Sequence, residues 1–167
     1  MKKMLCVLGL LAAIGARAQG TDEVWKPFQF VMGDWVGAGA GKPGEATGGF
    51  SLKPDLGDKI LVRRNLNQYP DRDGGARVTH EDLMVIYPAQ GGSPFRAEYF
   101  DNEGHVIHYK VTIGENRLEF LSDGPAAGPR FRLTYERKPD DTVGIDFAIA
   151  PPNQEFHPYL TGTVKRK

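Results

Sequence analysis

The chain has 167 residues, 21 basic against 21 acidic, with four histidines and one cysteine. That length suits a single domain with a buried core. Its even charge gives no basic footprint for a nucleic acid, so no nucleic-acid partner is expected.

Residues 1–18 read as a segment that is removed. Lys2 and Lys3 make a positive start, Leu5 to Ile14 is an apolar run, and Ala16-Arg17-Ala18 is a small-x-small cleavage site before Gln19. This is the layout of a secretory signal peptide. The apolar run is too short to span a bilayer, so no transmembrane segment is expected. The mature chain, residues 19–167, is expected to work in the periplasm or outside the cell. Cleavage takes Lys2, Lys3 and Arg17 but no acid, so 21 basic residues fall to 18 against 21 acidic, a net charge of −3. It also takes Cys6, leaving no disulfide, no thiol nucleophile and no thiolate metal site.

In Thr21 to Met32, Val24, Phe28 and Val31 fall at helical spacing, Pro27 suits a first helical position and Gly33 suits the end. A short helical plug is expected here. Trp35, Gly37, Gly39 and Gly41 then recur with the strand period and share one face. Glycine is tolerated in a strand where a ligand or another backbone lies close. The stretch therefore reads as a first barrel strand with the tryptophan at the floor.

Further runs follow at Ala46 to Lys53, Lys59 to Gln68, Asp82 to Tyr87, Pro94 to Phe100 and His105 to Ile113. Arg117 to Ser122, Arg130 to Lys138, Thr142 to Ala150 and Tyr159 to Arg166 complete them. Pro54 to Asp58 is a turn, Tyr69 to Val78 a long polar connection, and Asp101-Asn102-Glu103-Gly104 a tight-turn signal. Turns recur roughly every eight to twelve residues with no helical period between them. The pattern predicts an all-β fold: a single antiparallel up-and-down β-barrel of about ten strands.

Taking the more apolar parity of each strand as inward places Ile60, Val62, Leu83, Val85, Phe95, Ala97, Ile107, Val111, Leu118 and Phe120 inside. The same rule adds Phe131, Leu133, Val143, Ile145, Phe147, Leu160 and Val164. It also carries Arg64, Tyr87, Tyr99, Tyr109 and Tyr135 into the barrel. Tyrosine hydroxyls and one arginine around an otherwise apolar space have the makeup of a small-molecule site. The expected ligand is small and apolar or amphipathic, held by Trp35, Arg64, Tyr87, Tyr99, Tyr109 and Tyr135, with Arg64 anchoring an acidic group. A barrel with a filled interior, structural or partner-binding, is the alternative.

Catalytic signals are weak. The Gly-x-Ser-x-Gly pattern is absent, and His80, His105, His108 and His157 lack metal-ligand spacing. Glu81-Asp82 and Asp140-Asp141 read as solvated surface. Asp71-Arg72-Asp73-Gly74 starts like a calcium loop but has its glycine too early and no closing glutamate. No enzyme activity and no metal are expected.

Gly33-Asp34-Trp35-Val36-Gly37-Ala38-Gly39 resembles the Gly-x-Trp-x-Gly-x-Gly opening of nitrobindin-like barrels, relatives of the lipocalins and fatty-acid-binding proteins. Tyr159 to Arg166 resembles their last strand. More of the chain is similar to a family of uncharacterised secreted bacterial proteins with a calycin-type barrel, through Glu81 to Tyr87, Tyr99 to His105, Gly128 to Tyr135 and Ala150-Pro151-Pro152. The nitrobindin resemblance implies haem and nitric-oxide binding through a histidine near the start of the last strand. Here that position holds Tyr159, with His157 two residues earlier. Tyrosine can ligate haem iron, but the departure removes the main support for haem, and strand parity turns Tyr159 outward unless a bulge intervenes. No cofactor is therefore expected. The lipocalin resemblance implies instead that Arg166 lies over Trp35 and closes the floor.

Overall fold

The computed structural model describes residues 21–38, 47–69, 78–90, 94–125 and 127–167. Residues 1–18, where the sequence predicts a signal peptide, Gly39, Gly41, Ala46 and the Asp71–Gly74 stretch lie outside them. Helix α1 (Thr21–Trp25) runs into a 3-10 turn (Lys26–Phe28) with Pro27 in its first positions, where a missing N–H costs nothing. Ten strands follow: β1 (Gly33–Gly37), β2 (Thr47–Asp55), β3 (Ile60–Tyr69), β4 (Val78–Pro88), β5 (Phe95–Asp101), β6 (Val106–Ile113), β7 (Arg117–Ser122), β8 (Arg130–Arg137), β9 (Val143–Ala150) and β10 (His157–Arg166). Each pairs antiparallel with the next in sequence, and β1 pairs with β10, so the sheet closes on itself. Closure leaves no sheet edge with unpaired backbone groups.

One end of the barrel is packed shut. Phe28 and Val31 point into it as their spacing predicts, but Val24 faces solvent and Trp25 takes its place in the core. Trp25 donates from Nε1 to the Asp58 carbonyl in the β2–β3 turn (2.9 Å) and its ring meets Phe28 and Phe95. Trp35, 2 % exposed, donates from Nε1 to the Val31 carbonyl (2.8 Å) and stacks on Phe50. The Arg166 guanidinium carbon sits 4.7 Å from the Trp35 ring centre, and its Nη1 donates to the Met32 carbonyl (3.0 Å). The expected floor contact is present. Gly33 makes it fit: its φ is +117°, and a Cβ there would meet Arg166 Nη1 at 2.8 Å.

Parity assigns the lining correctly on β5 to β10. Phe95, Ala97, Val111, Leu118, Phe120, Leu133, Val143 and Val164 are buried, and Ile107, Phe131, Ile145 and Phe147 pack on the core from partly exposed positions. On β3 and β4 the assignment is reversed. The interior takes Leu61, Arg63 and Asn65 with Asp82, Met84 and Ile86. Ile60, Val62, Arg64, Leu83, Val85 and Tyr87 therefore stand on the outer face. These strands are apolar on both faces, and their inner row carries the polar side chains Arg63, Asn65, Asn67, His80 and Asp82. Choosing the greasier parity picks the wrong side.

Candidate functional site

The lining changes character along the barrel axis. Next to the plug, Phe28, Leu61, Ile86, Leu118 and Val143 are no more than 1 % exposed. Toward the other end come polar side chains and aromatic rings that are only partly covered.

Arg63 organises the polar layer. It is 7 % exposed, forms a close ion pair with Asp82, and lies 5.2 Å over the Phe50 ring. The second Asp82 oxygen accepts from Asn65 Nδ2 (2.8 Å), and Asn65 in turn accepts from Asn67 Nδ2 (3.3 Å). Register places Asn65 directly across from Asp82, and Asp82 across from Asp101. Burial works against the guanidinium charge, but the oxygens of Tyr135 and Asp82 more than offset it and hold the pKa above its ordinary value.

The layer continues onto β5. His80 Nδ1 lies 3.1 Å from Glu103, and its Nε2 lies 3.2 Å from the Tyr99 hydroxyl and 3.4 Å from Asp82. Tyr99 donates to Asp101 (3.2 Å). Asp101 also accepts the backbone N–H groups of Glu103 (3.0 Å) and His105 (2.9 Å) and faces the His105 ring. Burial alone would raise its carboxyl pKa; the bonds from His105 and Glu103 overcome that and lower it. Desolvation, helped by the nearby carboxylates, raises the pKa of Tyr99 and Tyr109 well above the usual phenol range. Tyr135 is pushed up to about 12 by burial.

Two atoms in this layer have no partner. Arg63 Nε and the Tyr135 hydroxyl are buried and make no hydrogen bond within the protein. Buried polar groups are normally satisfied, so unpaired ones call for an explanation.

A cavity of about 270 Å³, open to solvent, is lined by Val106, Ile107, His108, Ser122, Asp123, Gly124, Pro129 and Phe131, of which Val106 and His108 are exposed. It lies where β6 runs on past the end of β7. Asp123 donates its backbone N–H to the His108 carbonyl (2.9 Å), and Phe131 donates its own to Ser122 Oγ (2.9 Å). The pairing rows run from the tyrosines straight to this lining: Tyr99 is across from Ile107, and Tyr109 across from Ser122.

Of the six site residues read from the sequence, Tyr99, Tyr109, Tyr135 and Trp35 are inside. Tyr99 and Tyr109 are each one strand away from a residue of the cavity lining. Tyr135 is deeper, against Phe50 and Phe120, and Trp35 belongs to the closed floor. Arg64 is exposed on the outer wall and cannot anchor a ligand in the barrel. Tyr87 also faces out and donates to Glu98 (2.9 Å). Arg63, Asn65, Asp82 and His80 are not among the six: Asp82 reads from the sequence as solvated surface, and His80 only as a histidine without metal-ligand spacing. Opposite charge doublets on adjoining strands, Arg63-Arg64 and Glu81-Asp82, were the available cue to a cross-strand pair.

The last strand does carry a bulge. Pro158 pairs with Ala148 and Leu160 with Phe147, leaving Tyr159 as the extra residue. Its ring contacts Phe147 edge-on at 6.0 Å and remains 73 % exposed. Neither Tyr159 nor His157 is among the residues that line the cavity. Among the described residues no cluster of three or more His, Cys, Asp or Glu is arranged to hold a metal, and no helix is long and apolar enough to cross a membrane.

No protein-family model matches this sequence, and the search of curated proteins finds no match.

Proposed function

We propose that the chain, once exported, captures a small, largely apolar molecule in the wide half of its barrel without chemically changing it. The supporting observation is the asymmetry of the lining. Inward side chains beside the plug are fully packed, whereas Tyr99, Ile107, Phe131, Ile145 and Phe147 are inward yet only partly covered, and Ile107 and Phe131 line a cavity of about 270 Å³. An apolar enclosure with a few fixed polar groups is the general design of a small-molecule site. Tyr99 and Tyr109, across the register from Ile107 and Ser122 of its lining, would stand beside it. The resemblance to calycin-type barrels agrees with this reading, as does the predicted secretory start of the sequence.

Native mass spectrometry of protein purified from its own host tests it. The expected result is an added mass that disappears on denaturation, and uptake of the neutral dye Nile red by the emptied protein. A bare chain mass together with no dye uptake would favour the filled structural barrel.

A further inference from the structure

The outer wall carries a second feature, independent of the cavity. Arg130 and Arg132 flank the inward Phe131 on β8, so both point outward on one face. The register sets them opposite Ala150 and Ala148 of β9. Side chains as small as these leave room for long ones to lie against the wall. Phe156, from the β9–β10 connection, meets both arginines: its ring centre is 5.0 Å from the Arg130 guanidinium carbon and 4.7 Å from that of Arg132. Arg130 also donates from Nη2 to the Gln154 carbonyl (2.7 Å), tying the connection to the strand.

One ring thus gathers two positive charges, and the acids nearby do not answer them. Glu119 pairs with Arg117, Asp123 with Arg96, and Asp146 lies across from Thr134. Among the described residues neither arginine forms an ion pair, although the exposed Glu155 adjoins Phe156 in sequence. The two Nε atoms are enclosed and out of a ligand's reach. The Nη groups are not: both of Arg132 and Nη1 of Arg130 meet the surface with no partner among the described residues. A guanidinium fork matches the paired oxygens of a phosphate. Positions two apart on a strand are about 7 Å apart, a gap one phosphate bridges with an oxygen toward each fork. Its double charge answers both cations, where a carboxylate would leave one unmatched.

We propose that Arg130 and Arg132, held by Phe156, form a binding site for a phosphate group on the outer wall, at the end of the barrel away from the plug. The group is either free in solution or displayed on a lipid head group.

Two arms test this on the full chain at neutral pH and low salt. Inorganic phosphate is titrated while the arginine side-chain N–H signals are followed by NMR, and co-sedimentation is measured with phosphatidylcholine vesicles with and without phosphatidic acid. Saturable binding that shifts the Arg130 and Arg132 signals is expected. Arg132→Gln should weaken it by about tenfold or more, the loss of a charged donor pair. Arg132→Lys, which keeps the charge but not the fork, should weaken it by roughly three- to tenfold. Arg64→Gln, which removes an exposed charge elsewhere on the wall, should change nothing. Binding of inorganic phosphate alone assigns a soluble ligand, and binding only to vesicles with phosphatidic acid assigns a head group; either supports the site. No binding in both arms would overturn it. So would equal losses in Arg64→Gln and Arg132→Gln, or an Arg132→Lys protein that binds as well as the parent.

Discussion

Two neighbouring arginines provide a direct test of how β3 faces. Asp82→Ala removes the partner of Arg63 and leaves a guanidinium that is 7 % exposed without a counter-charge. Removing one member of a buried ion pair costs about 3–5 kcal/mol. Asn65 also loses its acceptor, adding about 1 kcal/mol. Replacing both members, Arg63→Met with Asp82→Leu, removes the stranded charge and should recover most of the loss. Arg64→Ala, one residue along and exposed, should stay within about 0.5 kcal/mol of the parent. Urea unfolding followed by tryptophan fluorescence reads all four proteins, with the slope checked for constancy. The assignment fails if Arg64→Ala costs as much as Asp82→Ala, or if Asp82→Ala costs less than about 1 kcal/mol.

Arg166→Ala should lose about 1–2 kcal/mol, combining the contact over Trp35 with the bond to the Met32 carbonyl, and calorimetry would show it as a lower Tm. Gly33→Ala should lose about 1–3 kcal/mol in the same assay, because its backbone lies at φ +117°. Absorbance titration of the phenols should show Tyr99, Tyr109 and Tyr135 resisting ionisation past the usual value near 10. Their folded pKa values are raised, so the stability they contribute is complete below about pH 10 and declines above it; a protein equally stable at pH 9 and 11 would contradict this. Asp101 has a lowered pKa, so its contribution is present above about pH 4 and is lost as acid protonates it. Asp101→Asn should therefore flatten the acid limb of a stability–pH curve.

Strand number, order and most boundaries were legible because each strand ends in residues that favour turns, and because the inner face of β5 to β10 is plainly the more apolar. The floor was legible as well, since Trp35 and Arg166 lie near opposite ends of the chain on strands that must meet if the barrel closes. The site was less so. Alternation assumes that the inside is apolar, and it fails on β3 and β4, where Arg63, Asn65 and Asp82 are buried as partners of one another. Their burial is stable only because they find each other across the register, and that pairing is three-dimensional information. His80 was hidden for the same reason: its partners are 2, 19 and 23 residues away in sequence. The bulge at Tyr159 leaves no mark in hydrophobic periodicity either.

The seam between β1 and β10 gives the barrel a particular weakness under tension. Trp35 pairs with Arg166, and the two strands run antiparallel, so Gly33 and Arg166 emerge side by side at the plugged end. A force pulling on these two points would load the seam's hydrogen bonds one after another, like a zip, rather than all at once in shear. The plug and the Arg166–Trp35 contact guard the first tooth. Tethering the two ends together should therefore toughen the barrel against stretching more than any change made within its core.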